Sequence, residues 1–366
     1  MIAKPSLIGA PLGHVATLDW LRLFAALAVV LYHYLYRGPL GEGFTSVTFD
    51  EGAWVRHLYL GVHLFFAISG FVIMASVKGR DAFAFAVARF LRLWPLYALC
   101  ATITLLVIAV ADPPHLDASP AQWAANMTFL APLFGQPFAD GVYWSIVVEL
   151  VFYAWVALMM LAGVLPRRVL VFGAGWLAVS AVNELWLDIG GLRFGMATLY
   201  APWFVFGIAM HRVVTMGASA GAVGLAFAAA ALSMHHVVVE QMTITSEYGT
   251  VADQLGVMTL NAGLLALFAT AVLRRNAVRP SGWLAMAGAL TYPLYLLHQN
   301  IGYVLLDGLA PATGKHAAVA LVIAIMLAAS WAVQRFFDRP ARRLLGRVID
   351  AALASLPFGS RARRAA

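Results

Sequence analysis

The sequence predicts an all-α fold: a polytopic membrane bundle of about ten transmembrane helices with both termini in the cytoplasm. Three observations predict it. Hydrophobic residues fill 62% of the 366 positions and charged residues only 11%, less than half the share of an ordinary soluble domain. Apolar runs near ~20 residues, the length that carries a helix across hydrocarbon, recur along the chain. Basic residues gather in alternate connections, the bias expected of cytoplasmic loops. So much apolar surface cannot be hidden inside one globule of this size, which excludes a soluble enzyme and a disordered chain. The net charge of +7 needs no nucleic acid to account for it, because membrane loops use cations too. The single cysteine, Cys100, excludes an intramolecular disulfide framework and a zinc site built on cysteines, and no metal is expected.

The spans are read at 17–36, 54–77, 90–110, 143–164, 169–187, 196–212, 219–239, 253–273, 283–305 and 316–337. The first carries Arg22 and His33 within its apolar run and reads as a retained span rather than a cleaved signal. The connection 111–142 holds Pro113, Pro114, Pro120, Pro132 and Pro137 and is too polar for another. With the amino terminus inside, Lys78, Arg80, Arg167, Arg168, Arg212, Arg274, Arg275 and Arg279 all face the cytoplasm. So do Arg339, Arg342, Arg343, Arg347, Arg361, Arg363 and Arg364. Only Arg37, Arg56, Arg193 and Lys315 fall outside, where most carboxylates lie, including Glu42, Asp50, Glu51, Asp140, Glu240 and Glu247. An odd number of spans would spoil this asymmetry. The organisation expected is a cytoplasmic segment at 1–16, a transmembrane domain at 17–340 and a basic cytoplasmic tail at 341–366, suited to an amphipathic helix on the membrane surface.

Charge inside a span is costly and faces the protein interior. These residues sort into two tiers. Arg22, Arg89 and Arg92 lie toward the cytoplasmic side; His33, His63, Glu149 and His298 lie nearer the outer side. Arg22 and His33 are about three helical turns apart, so they share a face ~16 Å in length. Arg89 with Arg92, and Ser145 with Glu149, also share faces. A common channel would be cationic at its cytoplasmic mouth and rich in His and Glu further out. Guanidinium forks bind phosphate, and a neutral histidine can take a proton from a hydroxyl. Glu149 can orient that histidine or act as the base itself. Each residue has a plainer role too. Arg22 can pair with Asp19, Arg89 and Arg92 can snorkel to the interface, and His63 and His298 can make structural hydrogen bonds. His235 and His236 read as a solvated helix end. Pro293 interrupts the helix ladder beside Tyr292, Tyr295 and His298, a place where a cavity can form.

Five blocks in order resemble the acyltransferase family 3 membrane proteins, integral-membrane O-acyltransferases of bacterial surface sugars. Leu18-Asp19-Trp20-Leu21-Arg22 through His33 is similar to that family's Arg-x10-His signature. Gly61-Val62-His63 through Ser69-Gly70-Phe71, Arg89-Phe90-Leu91-Arg92, Trp144-Ser145-Ile146-Val147-Val148-Glu149 and Tyr292-Pro293-Leu294-Tyr295-Leu296-Leu297-His298 resemble the next four. Two departures stand out: His63 sits where the family commonly has Asp, and Asp338 where Glu is frequent. The resemblance implies a multi-pass protein of the bacterial inner membrane that takes an acyl group, most often acetyl, from acyl-CoA. The acceptor it implies is a hydroxyl of a glycan such as exopolysaccharide or lipopolysaccharide, often lipid-linked. Carried over, it puts His33 at the chemistry and Arg22, Arg89 and Arg92 near the donor; the reading of the residues adds Glu149 as the group that orients His33. Asp19, His63, Ser69, Trp144, Ser145, Tyr292, Tyr295 and His298 are expected to line the substrate channel. Direct transfer and a transient acyl-histidine both fit. Composition alone equally suits a transporter of an anionic metabolite or lipid-linked sugar, although no internal repeat is found. An acyltransferase with a small-molecule acceptor is a further alternative.

Overall fold

The computed structural model describes residues 15–49, 54–248 and 252–355, with only the backbone at 40–42. The expected segment up to residue 14, Asp50, Glu51, and Arg361, Arg363 and Arg364 of the tail lie outside the described residues. Among the described residues the chain is helical and contains no strand. Helix α1 (Ala16–Tyr32) runs on as π-helical turns over His33–Glu42, and a 3-10 turn, Val55–Leu60, leads into α2 (Gly61–Val77). Then come α3 (Ala82–Ala111), the short α4 (Pro120–Asn126), α5 (Trp144–Leu161), α6 (Val169–Val182) and α7 (Gly190–Gly195). The chain continues through α8 (Ala201–Met216), α9 (Ala220–Tyr248), α10 (Gln254–Leu273), α11 (Gly282–Thr313), α12 (Lys315–Val333) and α13 (Arg339–Ser355).

Among the described residues, 8 helical segments are long and apolar enough to cross a membrane, so the all-α polytopic membrane protein is what the chain builds. The other two expected spans also fall on helices. Helix α8 has only 16 residues, while α11 has 32 but carries Thr291, His298, Gln299, Asn300 and Asp307 along its length. Two span boundaries need correction. Helix α3 begins at Ala82, so Arg89 and Arg92 lie within it, not at its start. Helix α9 continues to Tyr248, so Glu240 and Glu247 stand on a helix and not in a connection. Hydropathy ends that span where polar residues begin, but Glu240 meets the buried His63 and the backbone ladder continues.

The chain divides into two compact units. Of the described residues, the first comprises those up to Arg22, Val62–Phe85 and those from Val148 to Ala285. Within it α8 packs against α6 and α9, and α9 against α10. The first ten residues of α8, from Ala201 to Met210, are all buried. Close approach depends on glycine, as it commonly does between membrane helices. A Cβ on Gly207 would overlap the Ala67 carbonyl, and one on Gly70 would overlap the Phe204 carbonyl. Phe152, Trp176 and Phe204 stack beside this contact, with the Phe152 and Trp176 ring centres 5.5 Å apart. At the end of α6 the buried carboxylate of Glu184 holds Arg193 at 2.6 Å and accepts from Asn183, which ties α7 back to the π-helical end of α6.

Of the described residues, the second unit comprises those from Leu23 to Gly61, Ala86–Val147 and those from Met286 onward. Its long connection between α3 and α5 is built around buried Asn126. The amide of Asn126 donates to the carbonyls of Gln122 and Pro137, and its oxygen accepts from the Ala139 N–H. Asp140, expected in an outer connection, is fully buried. Its carboxylate accepts from the N–H groups of Val142 and Asn300, so it caps the turn that starts α5 and fixes α11 at once.

Candidate active site

In the second unit the polar residues converge around α11. Tyr34 donates to the His298 carbonyl at 2.7 Å, and Tyr143 donates to the Leu296 carbonyl at 3.0 Å. The Asn300 side chain donates to the Ala139 carbonyl. Gly302 leaves room for the Tyr34 ring, which a Cβ there would strike. These bonds hold the turn of helix that carries Tyr295 and His298.

His33 opens the π-helical turns after α1, and both His33 and His298 are buried. Their rings stand edge to face, centres 4.9 Å apart. The hydrogen positions follow from the partners. A carbonyl oxygen only accepts, so the nitrogen facing it carries the hydrogen. His33 Nδ1 lies 2.7 Å from the Val29 carbonyl, and His298 Nδ1 lies 2.9 Å from the Tyr295 carbonyl. Both neutral rings are therefore Nδ1–H tautomers. The lone pair on His298 Nε2 then faces His33 Nδ1 at 3.2 Å, and the His33 N–H is shared between it and Val29. His33 Nε2 is left with the lone pair, and no described residue bonds to it. Tyr295 adjoins His298, ring centres 5.7 Å apart. The Ser145 and Tyr295 hydroxyls meet at 2.7 Å, and both reach the Val142 carbonyl, at 3.0 and 3.4 Å. His33, His298, Tyr295 and Ser145 thus form one connected group. Asp140, Tyr34, Tyr143 and Asn300 support it and were not singled out in the sequence. Only Asp140 carried a signal, as a capping residue directly before an apolar run.

On α3 of the same unit, Arg89 and Arg92 are half-buried and share a face. Tyr292 donates to the Leu93 carbonyl at 3.2 Å, which ties α11 to α3 next to Arg92. Trp144 is half-buried at the start of α5.

The remaining candidates belong to the first unit. Asp19 accepts from Arg22 at 3.2 Å. Glu149 accepts from Ser69 at 2.8 Å and from Tyr153, one turn along α5. Within the second unit, the group that meets the His33 ring is His298. His63 is buried with its Nε2 2.8 Å from the Glu240 carboxylate, and the Trp203 ring packs edge-on at 4.2 Å between centres. Trp203 in turn donates to Asn261 at 2.9 Å. His236, expected to be solvated, is fully buried, with Nδ1 donating to the Leu199 carbonyl at 2.8 Å. The physical reason is the same as for Glu240: α9 continues past its apolar run inside the bundle. Among the described residues no group of three or more His, Cys, Asp or Glu is placed to hold a metal ion.

Three comparisons with known proteins bear on this geometry. A family model described as an acyltransferase domain matches residues 15–335. The chain is similar to nodulation protein 10 of Rhizobium leguminosarum bv. viciae, 30% identical over an alignment of 215 residues that covers 52% of this chain and 55% of the relative. The chain thus spans about half the length of the curated relative it matches. No solved structure matches.

Proposed function

Because the chain belongs to the acyltransferase-domain family, we propose that it is a membrane O-acyltransferase that moves an acyl group, acetyl first among them, from acyl-CoA to a hydroxyl of a glycan. The glycan is an exopolysaccharide, lipopolysaccharide or lipid-linked sugar, the membrane is the bacterial inner membrane, and both termini face the cytoplasm. The observation that carries the chemistry is the tautomer order at His33, whose Nε2 keeps its lone pair while Nδ1–H is held by Val29 and His298. Nε2 takes the proton of the acceptor hydroxyl as the oxygen attacks the thioester carbonyl carbon. When the tetrahedral intermediate collapses, the carbon–sulfur bond breaks. The departing thiolate takes the proton back from His33 and leaves as the free thiol. His298 Nε2, accepting from Nδ1–H, steadies the positive charge that His33 carries between these events, the part a carboxylate plays in other triads.

Arg89 and Arg92 suit the phosphates of the donor, because guanidinium pairs with phosphate through two parallel hydrogen bonds. Trp144 and Tyr292 offer aromatic faces to a sugar or to the pantetheine arm. The test is acyl transfer in membranes that contain the full chain. His33→Ala is expected to abolish ester-linked acyl groups on the surface glycan, read by mass analysis, at normal protein level. A His33→Ala protein that transfers at the wild-type rate would remove His33 from the chemistry. Arg89→Ala or Arg92→Ala should raise the donor KM, and an unchanged KM in both would remove them from donor binding.

A further inference from the structure

Helix α11 is open to bending just before His298. Pro293 has no N–H to give, so the backbone ladder loses a rung there. Beyond that point the helix is held from outside, because the turn that leads into α5 meets it at successive residues. The Ala139 carbonyl accepts from the Asn300 side chain at 3.0 Å, and the Asp140 carboxylate accepts from the Asn300 N–H at 3.0 Å. A Cβ on Gly141 would strike the Gln299 side chain, so the backbone lies directly against it. The Tyr143 hydroxyl donates to the Leu296 carbonyl at 3.0 Å. Leu296 and Asn300 stand at the i and i+4 ends of one helical rung, and His298 lies between them. Tyr143 and Asp140 therefore grip the two ends of the rung that carries the histidine. Asp140 is itself fixed, since its other oxygen accepts from the Val142 N–H at 3.2 Å. Asp140, Tyr143 and His298 are all fully buried, which shields these bonds from solvent. The turn reaches this height because the connection before it runs back along α3. Trp123 donates to Thr102, and Trp94 donates to the Met127 carbonyl, each at 2.9 Å; Trp94 stands ~25 Å from the Ala111 end of α3 at the helical rise.

We propose that Asp140 and Tyr143 are positioning residues of the transfer reaction: they set the place of His298 Nε2 against His33 and so the rate at which His33 takes up its proton, without touching substrate. The proposal rests on the reading of His33 as the base. The margin for error is small. The contact between His298 Nε2 and His33 Nδ1 is 3.2 Å, at the long end of a hydrogen bond, and a displacement of under ~1 Å opens it. Tyr34 also reaches the His298 carbonyl, at 2.7 Å, but it belongs to the same π-helical turns as His33 and moves with them. The turn before α5 supplies an independent reference.

The experiment supplies acetyl-CoA to membranes that hold the full chain and its native acceptor. The initial rate of ester-linked acetyl appearing on the glycan is divided by the amount of folded protein. Tyr143→Phe removes one hydroxyl, and Asp140→Asn keeps one acceptor oxygen. Each is expected to lower kcat roughly 3- to 10-fold with the donor KM unchanged. In a His298→Phe background neither change should lower kcat further, because both act through that ring. A second measurement stands apart from the reaction: the nitrogen NMR spectrum of histidine-labelled protein in phosphatidylcholine nanodiscs, where the resonances missing from His298→Phe identify that ring. The His298 Nε2 resonance is expected to move toward that of an unbonded lone pair in both Tyr143→Phe and Asp140→Asn. An unmoved resonance in both, wild-type kcat in both, or equal fractional losses with and without His298 would overturn the positioning role. Wild-type membranes that transfer no acetyl would sink the functional reading instead, and the spectrum would still decide whether the two residues place His298.

Discussion

The His33–His298 contact makes a quantitative claim on the reaction. His298→Phe keeps the bulk of the ring inside the buried pocket and removes the acceptor at Nε2. In the resting protein His33 Nδ1–H keeps its 2.7 Å bond to Val29, so the ground state loses only the longer, 3.2 Å share of that hydrogen. A neutral bond of this kind contributes about 1 kcal/mol, and one to a charged group about 1.5–3 kcal/mol. Only the difference, about 1–2 kcal/mol, acts on the barrier, because only the transition state places positive charge on His33. At ~1.4 kcal/mol per tenfold this predicts a fall in kcat of roughly 5- to 30-fold. The donor KM should stay near wild type. His298→Gln places an amide oxygen near the same spot and should recover part of the rate. The assay is initial-rate acyl transfer with purified protein, normalised to the amount of folded protein. A His298→Phe protein with wild-type kcat would refute the charge-sharing argument. A loss that appears only in KM would make His298 a binding residue instead.

Two further outcomes follow from the packing of the first unit. Gly207→Ala pushes a methyl group into the Ala67 carbonyl and should cost about 1–3 kcal/mol, seen as earlier thermal unfolding in detergent; unchanged unfolding would mean α2 and α8 separate at no cost. Glu240→Ala removes the carboxylate that lies beside the buried His63 ring and should destabilise by about 1–3 kcal/mol, whereas Glu240→Gln, which keeps a polar group of the same size there, should lose less. Equal thermal stability of Glu240→Ala and wild type would show that the pair holds nothing together.

Length and composition determined the class of this protein, because a chain that is 62% hydrophobic satisfies its backbone in lipid only by making helices. The positions of the spans were legible for the same reason: each apolar run is its own local signal. Residue type also marked His33, Arg89, Arg92 and His298 as worth attention, since an ionisable side chain in such a run carries a cost that needs an explanation. Which of them meet was decided by tertiary structure alone. His33 and His298 are 265 positions apart, and no periodicity relates them. Glu149 shares a helix face with Ser145, yet its bonds go to Ser69 and Tyr153. Hydropathy likewise stopped α9 short of Glu240, because a transfer scale scores each side chain alone and cannot see the imidazole across the helix pair that lets a carboxylate remain inside.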